Sequence, residues 1–255
     1  MSDIRPIQSG EAEEFLRLLC SVFGLDYRRA FDVFFQEPLF DINRKWASFE
    51  SGKIVCTLTT VPLIFGDGPA IGIAGVATEP ENRGRNLATE LLKESLRHSD
   101  SIGEGRALLF ASCERLYERC GFKPLDQVIS QPLPAGRKPA NLEFMNREQI
   151  RPIYDDWAKE KTMRLRRDER RWNYWGWNLK TAYRISKGYV CYEFGRVREI
   201  LNEFVELPIS DPADWFGLKT LGENLKIPLT DPRQEMLLMG RGFDYVPEMF
   251  LTDQF

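Results

Sequence analysis

Three extended segments joined by two tight turns occupy residues 45–78, and they constrain the fold more than any other part of the chain. Residues 45–49, 54–65 and 70–78 are mostly apolar or β-branched. The sequences Ser-Gly-Lys and Gly-Asp-Gly-Pro separate them, and turns this short join antiparallel neighbours. The pattern therefore predicts a three-stranded antiparallel meander.

Segments with helical or extended periodicity lie on both sides of this meander. Apolar residues spaced by three or four positions predict helices over 11–23, 27–36, 87–98 and 112–120. Further strands are predicted at 3–7, 107–111 and 122–131. This order predicts an α/β (α+β) fold, in which helices flank a mixed and mostly antiparallel sheet.

A proline-rich segment, 132–139, divides the chain into two predicted units. The first unit covers 1–131, and the second, smaller one covers 140–255. Helices in the second unit are predicted at 147–163 and 213–224. Strands in the second unit are predicted at 189–194, 199–205, 236–239 and 245–251. We expect the cleft between the two units to receive a substrate.

Composition excludes several classes of protein. Of the 255 residues 43% are hydrophobic, yet no apolar run approaches the ~20 residues that span a bilayer. The first residues have no signal-peptide layout, so we expect a cytoplasmic protein without membrane contact. A net charge of −3 disfavours nucleic acid as a partner. One histidine and five cysteines without a Cys-x-x-Cys pair predict reduced thiols and no metal site.

The junction between the strand at 70–78 and the helix at 87–98 is the best candidate for a binding site. A helix N-terminus presents unpaired backbone N–H groups and a partial positive charge, which suit a phosphate. Arg83 and Arg85 add charge, Gly84 lets a ligand approach the backbone, and Asn86 is a predicted N-cap. A pyrophosphate-binding turn is predicted, with a surface loop of solvated arginines as the alternative. Neither GxxxxGK[ST] nor GxGxxG is present.

The sequence from Val76 to Leu92 resembles the acetyl-CoA motif of the GCN5-related N-acetyltransferase (GNAT) family. In that motif a strand is followed by Arg/Gln-x-x-Gly-x-Gly/Ala and a helix. The match runs through Arg83, Asn86 and Ala88, with Asn86 where the family usually has glycine. The resemblance implies acetyl-CoA as cosubstrate. It implies cofactor contacts from Val76, Ala77, Thr78, Arg83, Gly84, Arg85, Asn86, Leu87 and Ala88.

A second resemblance covers Phe110 to Phe122, which is similar to the later GNAT segment that ends Tyr-x-x-x-Gly-Phe. In many members that tyrosine protonates the departing CoA thiolate. The resemblance therefore implies that Tyr117 is a general acid, with a packing role as the alternative.

The second half resembles the Eis-type branch, which carries two tandem GNAT-like folds, the second without a cofactor site. The similarity rests on residues such as Tyr154, Trp157, Trp172 and Tyr189, and no Arg-x-x-Gly-x-Gly/Ala segment occurs in this half. Eis-type proteins usually add a sterol-carrier-like domain, and this chain is too short to contain it. The resemblance implies an acetyl-CoA-binding GNAT domain over 1–131 and a degenerate GNAT-like domain over 140–255.

The activity implied is direct transfer of acetyl to the primary amine of a small molecule or peptide. Three groups are left open as the base that deprotonates the amine: water, Glu79 and the terminal carboxylate of Phe255. The alternative function is a non-catalytic acyl-CoA-binding or interaction protein on the same scaffold.

Two clusters in the second half have competing interpretations. Residues 159–171 contain seven basic and three acidic side chains, and we interpret them as a solvated face, with contact to a phosphate or an acidic substrate as the alternative. The aromatic group that follows is predicted to pack in the core, with an amine pocket as the alternative. Its members are Trp172, Tyr174, Trp175 and Trp177.

Overall fold

The computed structural model describes residues 3–134, 143–178, 181–185, 188–201 and 212–255. Twelve strands are present in these ranges: β1 (Asp3–Pro6), β2 (Lys45–Glu50), β3 (Lys53–Phe65), β4 (Gly68–Thr78), β5 (Ala107–Ala111), β6 (Lys123–Leu133), β7 (Leu165–Arg166), β8 (Ala182–Ile185), β9 (Gly188–Glu193), β10 (Arg196–Leu201), β11 (Ala213–Leu218) and β12 (Arg233–Arg241). Seven α-helices are present in the same ranges: α1 (Ala12–Phe23), α2 (Tyr27–Gln36), α3 (Leu87–Ser101), α4 (Arg115–Glu118), α5 (Arg147–Glu160), α6 (Glu169–Asn178) and α7 (Lys219–Asn224).

The strands form one continuous sheet in the order β1-β2-β3-β4-β5-β12-β6-β11-β10-β9-β8, and β7 pairs with the end of β3. Two neighbouring pairs are parallel, β4 with β5 and β10 with β11. The other pairs are antiparallel. The predicted α/β class, a mixed and mostly antiparallel sheet flanked by helices, is confirmed.

The predicted meander is strands β2, β3 and β4, which pair in antiparallel register through two tight turns. The first turn places Ser51 at φ 48° and Gly52 at φ 79°. Positive φ angles are easily adopted by glycine, so the residue that suggested the turn is also the one that allows it.

Helices cover the sheet with the apolar faces that the sequence indicated. In the first half, α3 buries Leu91 and Leu92 against the strands, and α1 buries Phe15. In the second half, Tyr154 of α5 and Trp172 of α6 belong to a larger buried cluster. The predicted core role of the aromatic group on α6 is confirmed for its three buried members, Trp172, Tyr174 and Trp175.

Residues 213–224 do not form the single helix that was predicted. They form strand β11 and then the short helix α7. Strand β11 lies between β6 and β10, and it buries Trp215 and Leu218 completely. A strand covered on both faces is apolar without alternation, and a short run of that kind resembles a buried helix turn.

The predicted strand at 245–251 is also wrong. In the described ranges the β-pairing of this segment is limited to one isolated bridge between Arg164 and Glu248, and Leu251–Asp253 forms a 3-10 turn. Two predicted helices are shorter than expected, since α4 covers Arg115–Glu118 and α5 ends at Glu160.

The predicted linker at 132–139 begins inside strand β6, which runs to Leu133, and its residues 135–139 lie outside the described ranges. Residues 202–205 of the strand predicted at 199–205 lie outside them too. Strand β12 comes from the second half of the sequence and lies between β5 and β6 of the first half. The division into two units stays a prediction. None of the helices in the described part of the chain is long and apolar enough to cross a membrane.

Candidate active site

A break in the pairing of the parallel strands β4 and β5 forms the centre of the candidate site. The two strands pair only over residues 71–73 and 107–109. Past this point a cavity of about 490 Å³ is lined by Ala74, Gly75 and Val76 from β4, and by Phe110 and Ala111 from β5.

Strand β4 carries a bulge beside this cavity. Thr57 lies opposite Ala77 and Thr59 lies opposite Ala74, so β4 has one residue more than β3 between these pairs. The extra length falls at Gly75, which has φ 59° and whose carbonyl accepts a 3.1 Å hydrogen bond from Thr57 Oγ1. A bulge leaves main-chain groups outside the regular ladder, and the backbone N–H predicted near Val76 belongs to this irregular stretch.

The loop before α3 is the predicted phosphate site, and the structure gives it the properties expected of one. In the described part of the chain, the backbone N–H groups of Gly84 to Ala88 donate to no main-chain carbonyl. Helix α3 begins at Leu87 and extends over 15 residues, so its dipole also acts at this end. Gly84 has φ 77°, and a Cβ built on it meets no atom within 4 Å. Free amides around open space suit a diphosphate.

Asn86 occupies the N-cap position of α3, but its side chain makes no capping hydrogen bond. The predicted N-cap position is confirmed, but the capping hydrogen bond is absent because the residue adopts φ 60° and ψ 13°, the left-handed conformation, instead of the extended one of most capping residues. Asparagine and glycine tolerate this conformation best. The geometry explains how asparagine stands where the GNAT motif usually has glycine.

The two arginines of this loop differ in how much of their charge is available. Arg85 donates to both oxygens of Glu50, at 2.9 and 2.7 Å, and to Asn82 Oδ1 at 2.5 Å. Among the described residues Arg83 makes one hydrogen bond, from Nε to the carbonyl of Thr78 at 3.3 Å. Arg83 is therefore the better source of positive charge for an anion at this loop.

Tyr117 is located on the short helix α4, at the edge of the central cavity. The amides of Cys120 and Phe122 donate to its carbonyl, and its ring meets the Phe122 ring edge to face at 6.2 Å between centroids. Burial, together with the nearby Cys113, raises the pKa of Tyr117. The phenol is therefore protonated at neutral pH and available as a donor.

The predicted residues fall into three groups. A hollow of about 330 Å³ beside the start of α3 is lined by seven of them: Thr78, Arg83, Gly84, Arg85, Asn86, Leu87 and Ala88. Val76 and Tyr117 line the central cavity, which adjoins this hollow because Cys113 and Leu116 line both. Ala77 lines neither of them, and its side chain is buried in the sheet.

Residues far apart in sequence complete the wall of the cavity, and sequence patterns did not identify most of them. Phe23 from the last turn of α1, Met236 from β12 and Gln254 line it together with Phe255. The Phe255 ring lies over Gly72, where a Cβ would come within 2.5 Å of it, and 5.4 Å from the Phe110 ring. No local sequence pattern marks Phe23, Met236 or Gln254 as part of this wall, because their proximity arises only from the fold.

The candidate bases differ in position. The Glu79 carboxylate accepts a 2.7 Å hydrogen bond from Asn82 Nδ2 and is not part of the cavity wall. Phe255, in contrast, lines the cavity. In the described ranges no cluster of three or more His, Cys, Asp or Glu side chains could hold a metal ion.

The basic segment 159–171 is only in part the solvated face that was expected. Its exposed basic residues are Lys159, Lys161 and Arg170, whereas three others are buried. The side chain of Arg167 is fully buried between Glu199 and Asp253. Arg164 pairs with Glu248 at 2.7 Å, and Arg171 donates to the carbonyl of Pro62 at 2.8 Å. Arg164 and Arg167 fix the second half internally and Arg171 connects it to β3, which a count of charges along the sequence does not reveal.

Comparison with known proteins agrees with this geometry. Residues 3–125 match the family model described as an acetyltransferase (GNAT) domain. The matched range contains the loop before α3 and Tyr117, so residues 3–125 are similar to a GNAT acetyltransferase domain. No curated protein matches the chain significantly.

Several solved structures share the fold over nearly the whole chain. A GCN5-related N-acetyltransferase from Kribbella flavida superposes with TM-score 0.73 at 14% identity, covering 94% of this chain and 71% of its own. Eis1 from Mycobacterium abscessus superposes with a TM-score of 0.67 at 18% identity, and the match covers 93% of this chain and 73% of Eis1. A putative acetyltransferase from Pyrococcus horikoshii superposes with a TM-score of 0.67 at 13% identity, and the match covers 97% of this chain and 91% of that protein. At these identities the likeness establishes the fold, and the predicted tandem GNAT-like architecture fits it.

Proposed function

We propose that the chain is an N-acetyltransferase, which transfers acetyl from acetyl-CoA to a primary amine within a ternary complex. The observation that carries the proposal is the continuity of the hollow before α3 with the central cavity, through Cys113 and Leu116. A pyrophosphate at the start of α3 would direct the thioester of the same molecule towards Val76 and Tyr117. The GNAT match over residues 3–125 supports this assignment.

In the proposed reaction, the amine nitrogen attacks the thioester carbon and negative charge develops on the carbonyl oxygen. The backbone N–H near Val76, at the bulge of β4, is assigned to stabilise that oxygen. The carbon–sulfur bond then breaks, and the Tyr117 hydroxyl gives its proton to the thiolate. The proton that the amine loses passes to water, to Glu79 or to the terminal carboxylate of Phe255, and the tyrosine is reprotonated from solvent.

The two halves of the chain have separate roles in this proposal. Residues 1–131 bind acetyl-CoA, and residues 140–255, a degenerate GNAT-like unit, contribute to the acceptor cleft. Met236, Gln254 and Phe255 on the cavity wall support the second role.

The test combines binding and turnover in the wild type and in Tyr117→Phe. Calorimetry with CoA measures binding, and thiol release from acetyl-CoA with a panel of amines measures turnover. We expect kcat in Tyr117→Phe to fall about 10²-fold, with the CoA affinity unchanged. Tyr183→Phe, on strand β8 and away from the cavity wall, is the matched control.

Each result separates the two candidate functions. If the wild type binds CoA but acetylates no amine, the non-catalytic acyl-CoA-binding protein is the better description. If CoA does not bind, the assignment of the loop before α3 is wrong.

A further inference from the structure

The wall of the central cavity carries no ionic side chain in the described part of the chain. Its lining contains no Asp, Glu, Lys or Arg, and its two titratable side chains are Cys113 and Tyr117. The α-carboxylate of Phe255, one of the candidate bases above, adds at most a single negative charge. An acceptor with several ammonium groups would therefore lose its hydration here without anions to replace it, at a large cost in free energy.

Aromatic rings form much of the same wall. The Phe110 and Phe255 rings are 5.4 Å apart with an angle of 42° between their planes. Phe23 contributes a third ring, which is 53% exposed, so its surface is available to a ligand. Rings at these distances favour another flat ring in offset or edge-to-face contact.

The volume of the central cavity also favours a small acceptor. The cavity measures about 490 Å³ and must also hold the acetyl thioester, while drug-sized ligands occupy pockets of roughly 300–1,000 Å³. The remaining space suits one ring with a short chain, and is too small for a large polar acceptor.

Resting on the proposed function, we infer that the acceptor is an aromatic monoamine, in which one nucleophilic nitrogen is attached directly or by a short chain to a flat apolar ring. The ring packs against Phe23, Phe110 and Phe255, and the nitrogen points towards Val76 and Tyr117. Polyamines and other polycations are excluded because the wall offers no set of anions to pair with them.

The experiment compares acceptors of similar size that differ in charge and flatness. Aniline, 2-phenylethylamine, 1,4-diaminobutane and spermidine are assayed with acetyl-CoA by thiol release, and the products are checked by mass spectrometry. We expect kcat/KM for the better of the two aromatic amines to exceed that for either polyamine at least tenfold. Equal rates, or a preference for spermidine, would overturn the inference and leave the acetyltransferase proposal standing. Absence of transfer to any amine would instead refute the proposed function, and the inference with it.

A charge placed in the wall supplies an independent check. Phe23→Asp, at an exposed position, is expected to shift the ratio of kcat/KM towards 1,4-diaminobutane at least fivefold. Val33→Asp adds the same charge on α2, where the side chain is 52% exposed and does not line the cavity, and should leave the ratio unchanged. The same shift in both variants would show that bulk charge, and not the cavity wall, selects the amine, which overturns the inference.

Discussion

The loop before α3 and the centre of the second half are both rich in arginine, and they use it in opposite ways. Arg83 is exposed and, within the part of the chain that the structure describes, makes one hydrogen bond of 3.3 Å, so most of its charge is free to meet a ligand. Arg167 is fully buried, and its guanidinium donates to Glu199, Asp253 and Thr252. The comparison teaches that an arginine contributes free charge to a binding site only where no carboxylate neutralises it, which holds for Arg83 and not for Arg167.

The buried cluster owes its stability to complete pairing. Arg167 approaches Glu199 and Asp253 at 2.7 Å each, and its guanidinium lies 3.7 Å from the centre of the Tyr154 ring. Trp175 donates to Glu199 at 3.0 Å, and Tyr189 donates to the same carboxylate. Removal of the Arg167 guanidinium would leave the buried Glu199 without a cationic partner among the described residues, and would leave Asp253 with only the 3.8 Å contact to Arg171.

Arg167→Ala is accordingly the change with the largest expected effect. We expect the free energy of unfolding to fall by about 3–5 kcal/mol, the usual result of breaking a buried ion pair from one side. Urea denaturation measures it. Arg170→Ala, which removes an exposed arginine at the start of α6, should change it by less than about 0.5 kcal/mol. Equal effects of the two variants would mean that the cluster is not internally paired as described.

Lowering the pH should also reduce the stability that this cluster provides, but by less than Arg167→Ala does. Burial alone would raise the pKa of Glu199, yet the charge of Arg167 and hydrogen bonds from Arg167, Thr252 and Tyr189 hold it below its ordinary value. A depressed pKa in the folded state means that the stabilisation is complete above the pKa of an unfolded glutamate. It is lost as the pH falls through the folded-state pKa. Unfolding measured from pH 7 to pH 3 should show this loss, and Glu199→Gln should reduce it. If the free energy of unfolding depends on pH in the same way in the wild type and in Glu199→Gln, the role assigned to Glu199 is contradicted.

Arg83→Ala tests the loop before α3, the other member of the comparison. A hydrogen bond to a charged partner contributes about 1.5–3 kcal/mol, so we expect the affinity for CoA to fall by roughly 10- to 100-fold. The free energy of unfolding should not change. Arg85→Ala should have a smaller effect on affinity, because Glu50 already neutralises that arginine. A larger loss for Arg85→Ala would reverse the roles assigned to the two residues.

Replacement of Asn86 by glycine is the change with the smallest expected effect on the affinity for CoA. Its left-handed conformation costs asparagine little, so Asn86→Gly should change CoA affinity by less than about 1 kcal/mol, roughly fivefold. Asn86→Val places a β-branched residue at φ 60° and should weaken binding more. Calorimetry of both variants measures the difference. Tighter binding in Asn86→Val than in Asn86→Gly would show that the conformation of this residue is not what matters.

Local patterns were sufficient to predict the first half of the fold and the loop before α3. Turn residues and apolar spacing identified β2 to β4, and the abrupt change of period at Leu87 marked the start of α3. These features depend on residues that are close in the sequence, so they can be predicted from the sequence alone.

Features that depend on distant partners were not predicted. Strand β11 is apolar because its side chains are buried in the core, and no pattern within 213–218 reveals that β6 and β10 flank it in the sheet. The burial of Arg167 depends on Glu199 and Asp253, which lie 32 and 86 residues away. The wall of the cavity is likewise assembled from Phe23, Met236 and Phe255, whose proximity exists only in the folded chain.

The position of β12 has a consequence for how this protein is made. As the chain leaves the ribosome, β5 and β6 emerge more than 100 residues before the strand that lies between them. Until Arg233–Arg241 has been synthesised, both strands expose edges that other nascent chains can pair with. Expression of the first half alone should therefore yield aggregates, and chaperones that shield strand edges during translation should raise the yield of the whole chain.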